Sequence, residues 1–329
     1  IPSSFSYSNI IGLIAFTIIL IFIIPLVIYF NKRLLYKKNY KFVYTPIDSI
    51  ERRSNISYEE FVREYASVGK PVIITDVVKN WRASTKWNLD FFKSKYGSVK
   101  LEVQDYNPEG EFTRETRTHE SMKIADYIDY MTGGAGNKLL YLSNMHICYH
   151  PELWEDCEDP IYFNNWFKRF PLELIKRFYP DFSSVFIGFK DTSVGLHYDS
   201  RHDTTWVAVI SGRKQVVMFP PDQEKYLYEG RVNCFKPNFK KFPLYAQAKS
   251  VQFILDQGEI LYMPSNWWHQ LKNLENTIAV ATGTLHEWDY ELVCQGFLDK
   301  APIKGHLFPL ILEFPWLGRT LSAVGLLER

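Results

Sequence analysis

Apolar residues dominate the beginning of the chain. The run Ile10 to Phe30, IIGLIAFTIILIFIIPLVIYF, carries no charge. As a helix it would rise about 31 Å, which matches the hydrocarbon core of a bilayer. This predicts one transmembrane helix over 10–30, preceded by an N-terminal flank over 1–9. A cleaved signal peptide is the alternative, but its apolar region is shorter and ends at small residues, whereas Lys32 and Arg33 follow here.

The pattern then changes to amphipathic and alternating stretches. Apolar residues recur at helical spacing over Ser57–Gly69, which predicts a helix ended by the proline that follows shortly after. A second helix is predicted over Trp87–Tyr96. The apolar run Val72–Ile74 indicates a buried strand, and the alternation over Val99–Asp105 indicates another.

From residue 185 the chain consists of short β-rich runs bounded by Gly, Pro, Asp or Asn. They are VFIGF, TTWVAVI, KQVVMF, SVQFIL, EILYMP and TIAVATGT. Short strands at roughly even spacing are typical of a sandwich or barrel. We therefore predict a mainly β fold with flanking helices, followed by an apolar helical tail over 291–329.

Charge is distributed unevenly along the chain. Five basic residues lie within 32–41, and no charged residue precedes them. This basic juxtamembrane segment, 31–56, predicts a cytosolic position for the large C-terminal part, although the sequon at Asn55 would suit a lumenal one. Removing these five from 38 basic residues leaves 33 against 37 acidic ones. A mildly acidic body argues against a nucleic-acid partner, but a local basic patch would escape this count.

Candidate metal ligands occur in two of the β-rich segments. In the segment GLHYD, His197 and Asp199 are alternate residues, so on a strand their side chains share a face. His269 stands in the later segment MPSNWWHQ. Two imidazoles and one carboxylate can occupy one face of an octahedral Fe(II) and leave three positions open. An H-x-D pair by itself is weak evidence, because it often arises by chance.

Lys214 is an isolated cation in the apolar run KQVVMF. A buried lysine requires an anionic partner, which a dicarboxylate co-substrate would supply. The alternative is a solvent-facing lysine that follows the turn at Gly212.

Three ordered segments resemble a known family. HYD, ISGRKQVVMFPPDQEKYLY and GEILYMPSNWWHQ are similar to the corresponding segments of the jumonji-C hydroxylases of the cupin superfamily. They are nearest to members that act on an asparagine of hypoxia-inducible factor or on tRNA wybutosine. The resemblance extends upstream through LLYLSN and covers roughly 57–285. It implies an oxygenase domain over 57–290 with a double-stranded β-helix core, a jelly roll, at about 183–285.

The resemblance also implies roles for individual residues. By this resemblance, the iron ligands would be His197, Asp199 and His269. It makes Lys214 and Tyr141 the partners of the distal carboxylate of 2-oxoglutarate. Thr205 stands where relatives often have an asparagine that contacts the co-substrate, so it is a third candidate co-substrate residue. Val194 replaces a Thr or Ser of some members. The implied cofactor is Fe(II), with 2-oxoglutarate and O2 as co-substrates.

The sequence thus predicts a membrane-anchored, single-pass oxygenase that hydroxylates a protein side chain. A protein or peptide substrate is favoured over nucleic acid, the lipid bilayer is a partner through 10–30, and the tail over 291–329 is a candidate homodimer contact. Two alternatives stay open. One is a non-catalytic anchored cupin scaffold, which the residues at 194 and 205 favour, and the other is a cupin enzyme that uses another metal.

Overall fold

The structure is a computed structural model that describes four long stretches and a few N-terminal positions: 41–105, 118–134, 138–301, 304–323, 11–12, 16–17, 20, 23–24 and 26–31. The strands are β1 (Arg52–Arg53), β2 (Val72–Ile74), β3 (Lys100–Asp105), β4 (Thr118–Lys123), β5 (Leu140–His146), β6 (Ser183–Gly188), β7 (Thr204–Ser211), β8 (Lys214–Phe219), β9 (Val251–Leu255), β10 (Ile260–Met263), β11 (Trp268–Asn273) and β12 (Thr277–Thr284). The α-helices are α1 (Tyr58–Phe61), α2 (Ala83–Lys86), α3 (Leu89–Tyr96), α4 (Ile124–Thr132), α5 (Leu172–Phe178), α6 (Tyr290–Lys300), α7 (Leu307–Glu313) and α8 (Pro315–Ala323).

These strands form two sheets. The larger has the order β1-β2-β10-β7-β12-β6-β5-β3-β4, and the smaller has the order β11-β8-β9. An extended segment before β7 adds to the free edge of β11 through bridges from Ser193 to Lys272 and from His197 to His269. From β6 to β12 the chain therefore passes repeatedly between the two sheets, which is the arrangement of a jelly roll. The predicted mainly β fold with flanking helices is confirmed.

An apolar core fills the space between the sheets. Along β7, Val207 and Val209 face the smaller sheet, where they join one cluster with Val216 and Met218 of β8. The alternate residue Ala208 belongs to the opposite cluster, which includes Phe61 and Phe92 of the flanking helices. This two-residue alternation follows from strand geometry. Both faces of β7 are covered, which is why its central residues, Trp206 to Ile210, are all apolar.

The predicted local elements agree well with the observed ones. The strand at Val72–Ile74 is observed as predicted, and the second strand begins one residue late, at Lys100. The helix predicted at Ser57 begins with the Ser57 hydroxyl accepting the backbone N–H of Glu60 and continues after α1 as a π-helical turn, Val62–Ala66. The helix predicted at Trp87 begins at Leu89, because the side chain of Asn88 caps its first turn.

The predicted single-pass membrane localisation is wrong on the structural evidence. Within the described part of the chain, no helix is both long enough and apolar enough to cross a bilayer. The flank over 1–9, residues 10, 13–15, 18–19, 21–22 and 25 of the predicted span, and residues 32–40 of the basic juxtamembrane segment lie outside the described residues.

The C-terminal residues form helices α6, α7 and α8. Phe308 of α7 and Val293 of α6 pack with Phe167 and Phe182 in a separate apolar cluster. The apolar character of the tail is thus used, at least in these two helices, for packing within the chain. Its predicted homodimer contact stays a prediction.

Candidate metal centre and co-substrate pocket

The three predicted metal ligands meet where the segment before β7 runs beside β11. The backbone N–H of His197 donates to the carbonyl of His269 at 3.1 Å, and the N–H of His269 donates to the carbonyl of His197 at 2.7 Å. This pairing brings the two imidazole centroids to 4.4 Å. One donor atom from each of His197, Asp199 and His269 lies within 4.8 Å of the other two. Among the described residues, this is the group with the geometry of a metal site.

Backbone carbonyls orient both imidazoles. Nδ1 of His197 lies 2.8 Å from the carbonyl oxygen of Gly195, and Nδ1 of His269 lies 3.0 Å from that of Trp267. A carbonyl oxygen only accepts, so each Nδ1 carries the proton and each Nε2 keeps its lone pair for a metal. Burial lowers the pKa of His269 to about 4. This imidazole is therefore neutral at pH 7, as a metal ligand must be.

Asp199 supplies the negative charge of the group. Burial raises its pKa, while His197 and a hydrogen bond from Thr205 partly oppose that effect. The Thr205 hydroxyl donates to Oδ2 of Asp199 at 2.6 Å. A buried carboxylate is costly without a counter-charge, which a divalent cation supplies. The donor set fits Fe(II) and leaves coordination positions open.

Thr205 contacts one of the candidate metal ligands. Its hydroxyl donates to Asp199, which restrains the carboxylate of that residue. The predicted contact of Thr205 with the co-substrate stays a prediction.

Lys214 lies on β8, the strand that pairs with β11. Its side chain is buried, and its Nζ donates to Oδ1 of Asn273 at 2.6 Å and to the Tyr141 hydroxyl at 3.1 Å. No acidic side chain in the described parts of the chain forms an ion pair with it, and burial lowers its pKa to about 7. A buried ammonium with neutral partners favours an incoming carboxylate.

One cavity of about 1060 Å³ joins these features. Its lining includes every residue selected from the sequence: His197, Asp199, His269, Lys214, Tyr141, Thr205 and Val194. Trp268 also lines it, whereas Trp206 and Trp267 belong to the core. The volume is sufficient for a small dicarboxylate together with a substrate side chain.

Comparison with known protein families matches residues 58–282 to the cupin-like domain. The chain belongs to the cupin-like family. This agrees with the strand order and with the position of the ligand group between the two sheets, and the predicted jumonji-C, cupin-like relationship is confirmed.

Several relatives of this cupin-like protein have informative names. It is 30% identical over 269 residues to lysine-specific demethylase JMJ21 of Arabidopsis thaliana, covering 77% of this chain and 27% of that protein. It is 24% identical over 270 residues to the 2-oxoglutarate and iron-dependent oxygenase JMJD4 of Gallus gallus, covering 74% and 60%. It is 26% identical over 253 residues to the bifunctional arginine demethylase and lysyl-hydroxylase psr-1 of Caenorhabditis elegans, covering 71% and 60%. The chain thus spans less than two thirds of the length of these relatives. The predicted enzyme class, iron and 2-oxoglutarate agree with the names of these relatives.

The sequence missed the residues that hold Lys214 of this cupin-like protein. Asn273 lies directly opposite Lys214 in the pairing of β11 with β8. Its Nδ2 donates to Oγ1 of Thr192 at 2.8 Å, which turns Oδ1 toward the lysine. A Cβ at Gly188 would overlap the Asn273 amide and lie 2.6 Å from both Oγ1 of Thr192 and Cδ2 of Tyr141. A polar residue at the inner end of the His269 strand was the available signal, but its register with Lys214 required the structure.

Proposed function

We propose that this cupin-like protein is an Fe(II)- and 2-oxoglutarate-dependent oxygenase that hydroxylates a protein side chain. The observation that supports the proposal is the position of the ligand group His197, Asp199 and His269 in the same cavity as the buried Lys214. A metal-chelating dicarboxylate could bind a metal at the ligand group with one end and pair with Lys214 at the other.

The three ligand residues would hold the iron. When bound, Fe(II) together with 2-oxoglutarate and O2 supplies the oxidation of a C–H bond, with conversion of 2-oxoglutarate into succinate and CO2. His197 and His269 present Nε2 because their Nδ1 atoms are engaged with backbone carbonyls. Asp199 supplies a charge that favours a cation over water in a buried site.

Lys214 and Tyr141 would bind the far carboxylate of 2-oxoglutarate. The lysine ammonium forms a charge-assisted hydrogen bond with the carboxylate, and the Tyr141 hydroxyl donates a second one. Asn273 holds Nζ of Lys214 in place before binding. A fixed far end aligns the near end with the metal, so the contribution of this chain is mainly orientation and exclusion of water.

A protein substrate is supported by the names of the relatives. Besides JMJ21 and psr-1, the arginine-specific demethylase JMJ20 of Arabidopsis thaliana is 26% identical over 287 residues. These names refer to lysine or arginine residues. We propose that the substrate of this chain is likewise a side chain presented by a protein or peptide.

The test is direct. The purified chain is supplied with Fe(II), ascorbate and 2-oxoglutarate, succinate is measured by NMR, and 2-oxoglutarate binding is measured by calorimetry. We expect micromolar-range binding and slow succinate formation without substrate. If 2-oxoglutarate does not bind at about millimolar concentration, the proposed oxygenase activity is refuted and a non-catalytic scaffold is supported. Metal binding without 2-oxoglutarate dependence would support another cupin chemistry.

The pKa of Lys214 predicts a pH-dependent affinity for 2-oxoglutarate. Burial lowers this pKa to about 7, and only the ammonium form pairs with a carboxylate. The affinity should therefore be fully present below this pH and fall as the pH rises through it, by up to about tenfold per pH unit. Calorimetry across this range checks the slope. The variant Lys214→Met should lose this dependence of affinity on pH. An unchanged pH dependence in that variant would mean that another group causes it.

Asn273→Asp should weaken 2-oxoglutarate binding. The new carboxylate would pair with Lys214 and compete with the co-substrate, which we expect to raise the dissociation constant about 10- to 100-fold. Asn276→Asp is a matched control, because it makes the same change at an exposed position just after β11. Equal 2-oxoglutarate affinities of the two variants would contradict the role of Asn273.

A further inference from the structure

Residues 231–249, here called the basic segment, have an unusual charge. They contain five basic residues and no acidic one. Removing these five from the 33 basic residues of 42–329 leaves 28 against 37 acidic ones, so the rest of the body is clearly acidic. The five are exposed: Arg231, Lys236, Lys240, Lys241 and Lys249. This is the kind of local patch that a whole-chain charge count conceals.

The basic segment is attached to the strand that carries His269. The backbone N–H of Cys234 donates to Oε1 of Gln270 at 2.8 Å. Nζ of Lys272 lies 4.7 Å above the ring of Phe235. The inner side of the segment also packs with Trp268 in one apolar cluster. These contacts hold the segment beside the candidate metal centre.

A constrained turn brings the segment to the mouth of the cavity. Tyr228, Glu229 and Gly230 have φ of 51°, 57° and 80°, all in the left-handed region. A Cβ at Gly230 would overlap the carbonyl oxygen of Leu196 and lie 3.1 Å from the Trp268 ring. Glu229, Gly230 and Arg231 line the cavity. Consecutive left-handed residues are costly for non-glycine side chains, and here they set the position at which the basic segment begins.

The outer side of the segment is also partly apolar. Phe239 is 52% exposed and Leu244 is 44% exposed, whereas Phe242 between them is buried. The backbone N–H of Leu244 donates to the Tyr228 hydroxyl at 2.9 Å, which ties this outer part back to the constrained turn. A basic surface that also exposes apolar side chains can pair with acidic groups and bury apolar contacts of the same partner.

We propose that the outer side of the basic segment binds an acidic stretch of the substrate protein that also contains apolar side chains. The proposal rests on the proposed function, because the docked stretch would flank the residue that enters the cavity. The lysines would pair with Asp and Glu, and Phe239 and Leu244 would contact the apolar side chains. Such docking would restrict oxidation to side chains with acidic flanking sequence.

A peptide fits this surface better than a nucleic acid. Single-stranded nucleic acids are bound on several stacked aromatic rings, whereas Phe239 is the exposed ring of the basic segment. The remainder of 42–329 is acidic and would repel a long polyanion. An acidic peptide of limited length avoids this repulsion.

The experiment measures binding without turnover. Fluorescein-labelled 12-residue peptides of Asp, Glu, Leu and Phe are compared by anisotropy with peptides in which Lys and Arg replace the acids. We expect the acidic peptide to bind at least about tenfold more tightly, with the difference decreasing at high salt. A triple variant should abolish or reverse this preference: Lys236→Glu, Lys240→Glu and Lys241→Glu.

The matched control reverses three exposed lysines elsewhere: Lys79→Glu, Lys100→Glu and Lys123→Glu. It makes the same change in net charge and should keep the preference for the acidic peptide. Equal binding of the two peptides to the wild-type chain, or equal effects of the two triple variants, would overturn the proposal. Tighter binding of a labelled 12-nucleotide oligouridylate than of the acidic peptide would overturn it in favour of nucleic acid.

The proposed docking surface and the proposed function can fail separately. Anisotropy does not require iron, 2-oxoglutarate or oxidation. A wild-type chain that prefers the acidic peptide but neither binds 2-oxoglutarate nor forms succinate would keep the surface and refute the oxygenase. A chain that forms succinate but shows no preference for the acidic peptide would support the oxygenase and refute the docking surface.

Discussion

Replacing His197 by alanine is expected to reduce the conversion of 2-oxoglutarate into succinate by about 100-fold or more. Residues that only orient a metal ligand already contribute 10- to 100-fold to affinity or activity, and His197 would contribute a ligand atom itself. The loss should appear both as a lower iron content and as slower succinate formation. Quantitative metal analysis and NMR measure the two effects on the same sample.

His119→Ala is the matched control for this experiment. His119 is an exposed residue on β4, 3.7 Å from Glu102, and it does not line the cavity. The control should keep its iron and its succinate formation. Thermal unfolding of both variants separates loss of the site from loss of the fold. Normal turnover by the His197 variant would exclude this residue as an iron ligand, even if the protein is an oxygenase.

Replacing Lys214 by methionine should weaken 2-oxoglutarate binding about 100-fold while iron binding is retained. Methionine keeps much of the volume of the side chain but removes the ammonium, so a carboxylate would be buried without its charged partner. Loss of such a partner costs about 3 kcal/mol, which corresponds to about 100-fold in the dissociation constant. Calorimetry with 2-oxoglutarate and a separate iron titration measure the two affinities.

Lys225→Met makes the same substitution on the surface. Lys225 is exposed in the 3-10 helix Pro221–Tyr226, and its variant should bind 2-oxoglutarate normally. The Lys214 variant should also bind succinate, which has the same distal carboxylate, more weakly than the wild-type chain. Unchanged affinity for both dicarboxylates would place the far carboxylate elsewhere in the cavity.

The β-rich half of the fold was predictable because its signals are local. Strand-length apolar runs bounded by turn residues predicted β7, β8, β10 and β12. The helix at Leu89 was predictable to within two residues, since apolar spacing and a capping asparagine lie within the same turn. The membrane prediction had a local basis as well, but the described residues contain no helix that could cross a bilayer.

The candidate site was predictable in part. The alternation of His197 with Asp199 predicted that both side chains project together, and resemblance of ordered segments pointed to His269, Lys214 and Tyr141. No spacing pointed to Asn273, which is far from Lys214 in sequence and meets it through strand register. Nothing in the sequence indicated that the Thr205 hydroxyl donates to Asp199, because this contact depends on how the segment before β7 folds back on the strand.

The sequence by itself determined the β-rich class, the flanking helices and the residue types of a two-histidine, one-carboxylate site. These follow from periodicity and donor chemistry, which are carried by residues close together in the chain. Only the tertiary structure decided that Asn273 holds Lys214, that Gly188 leaves room for their convergence, and that the basic segment begins beside the metal strands. Each of these depends on long-range contacts, because hydrogen bonds and packing join residues that no local pattern connects.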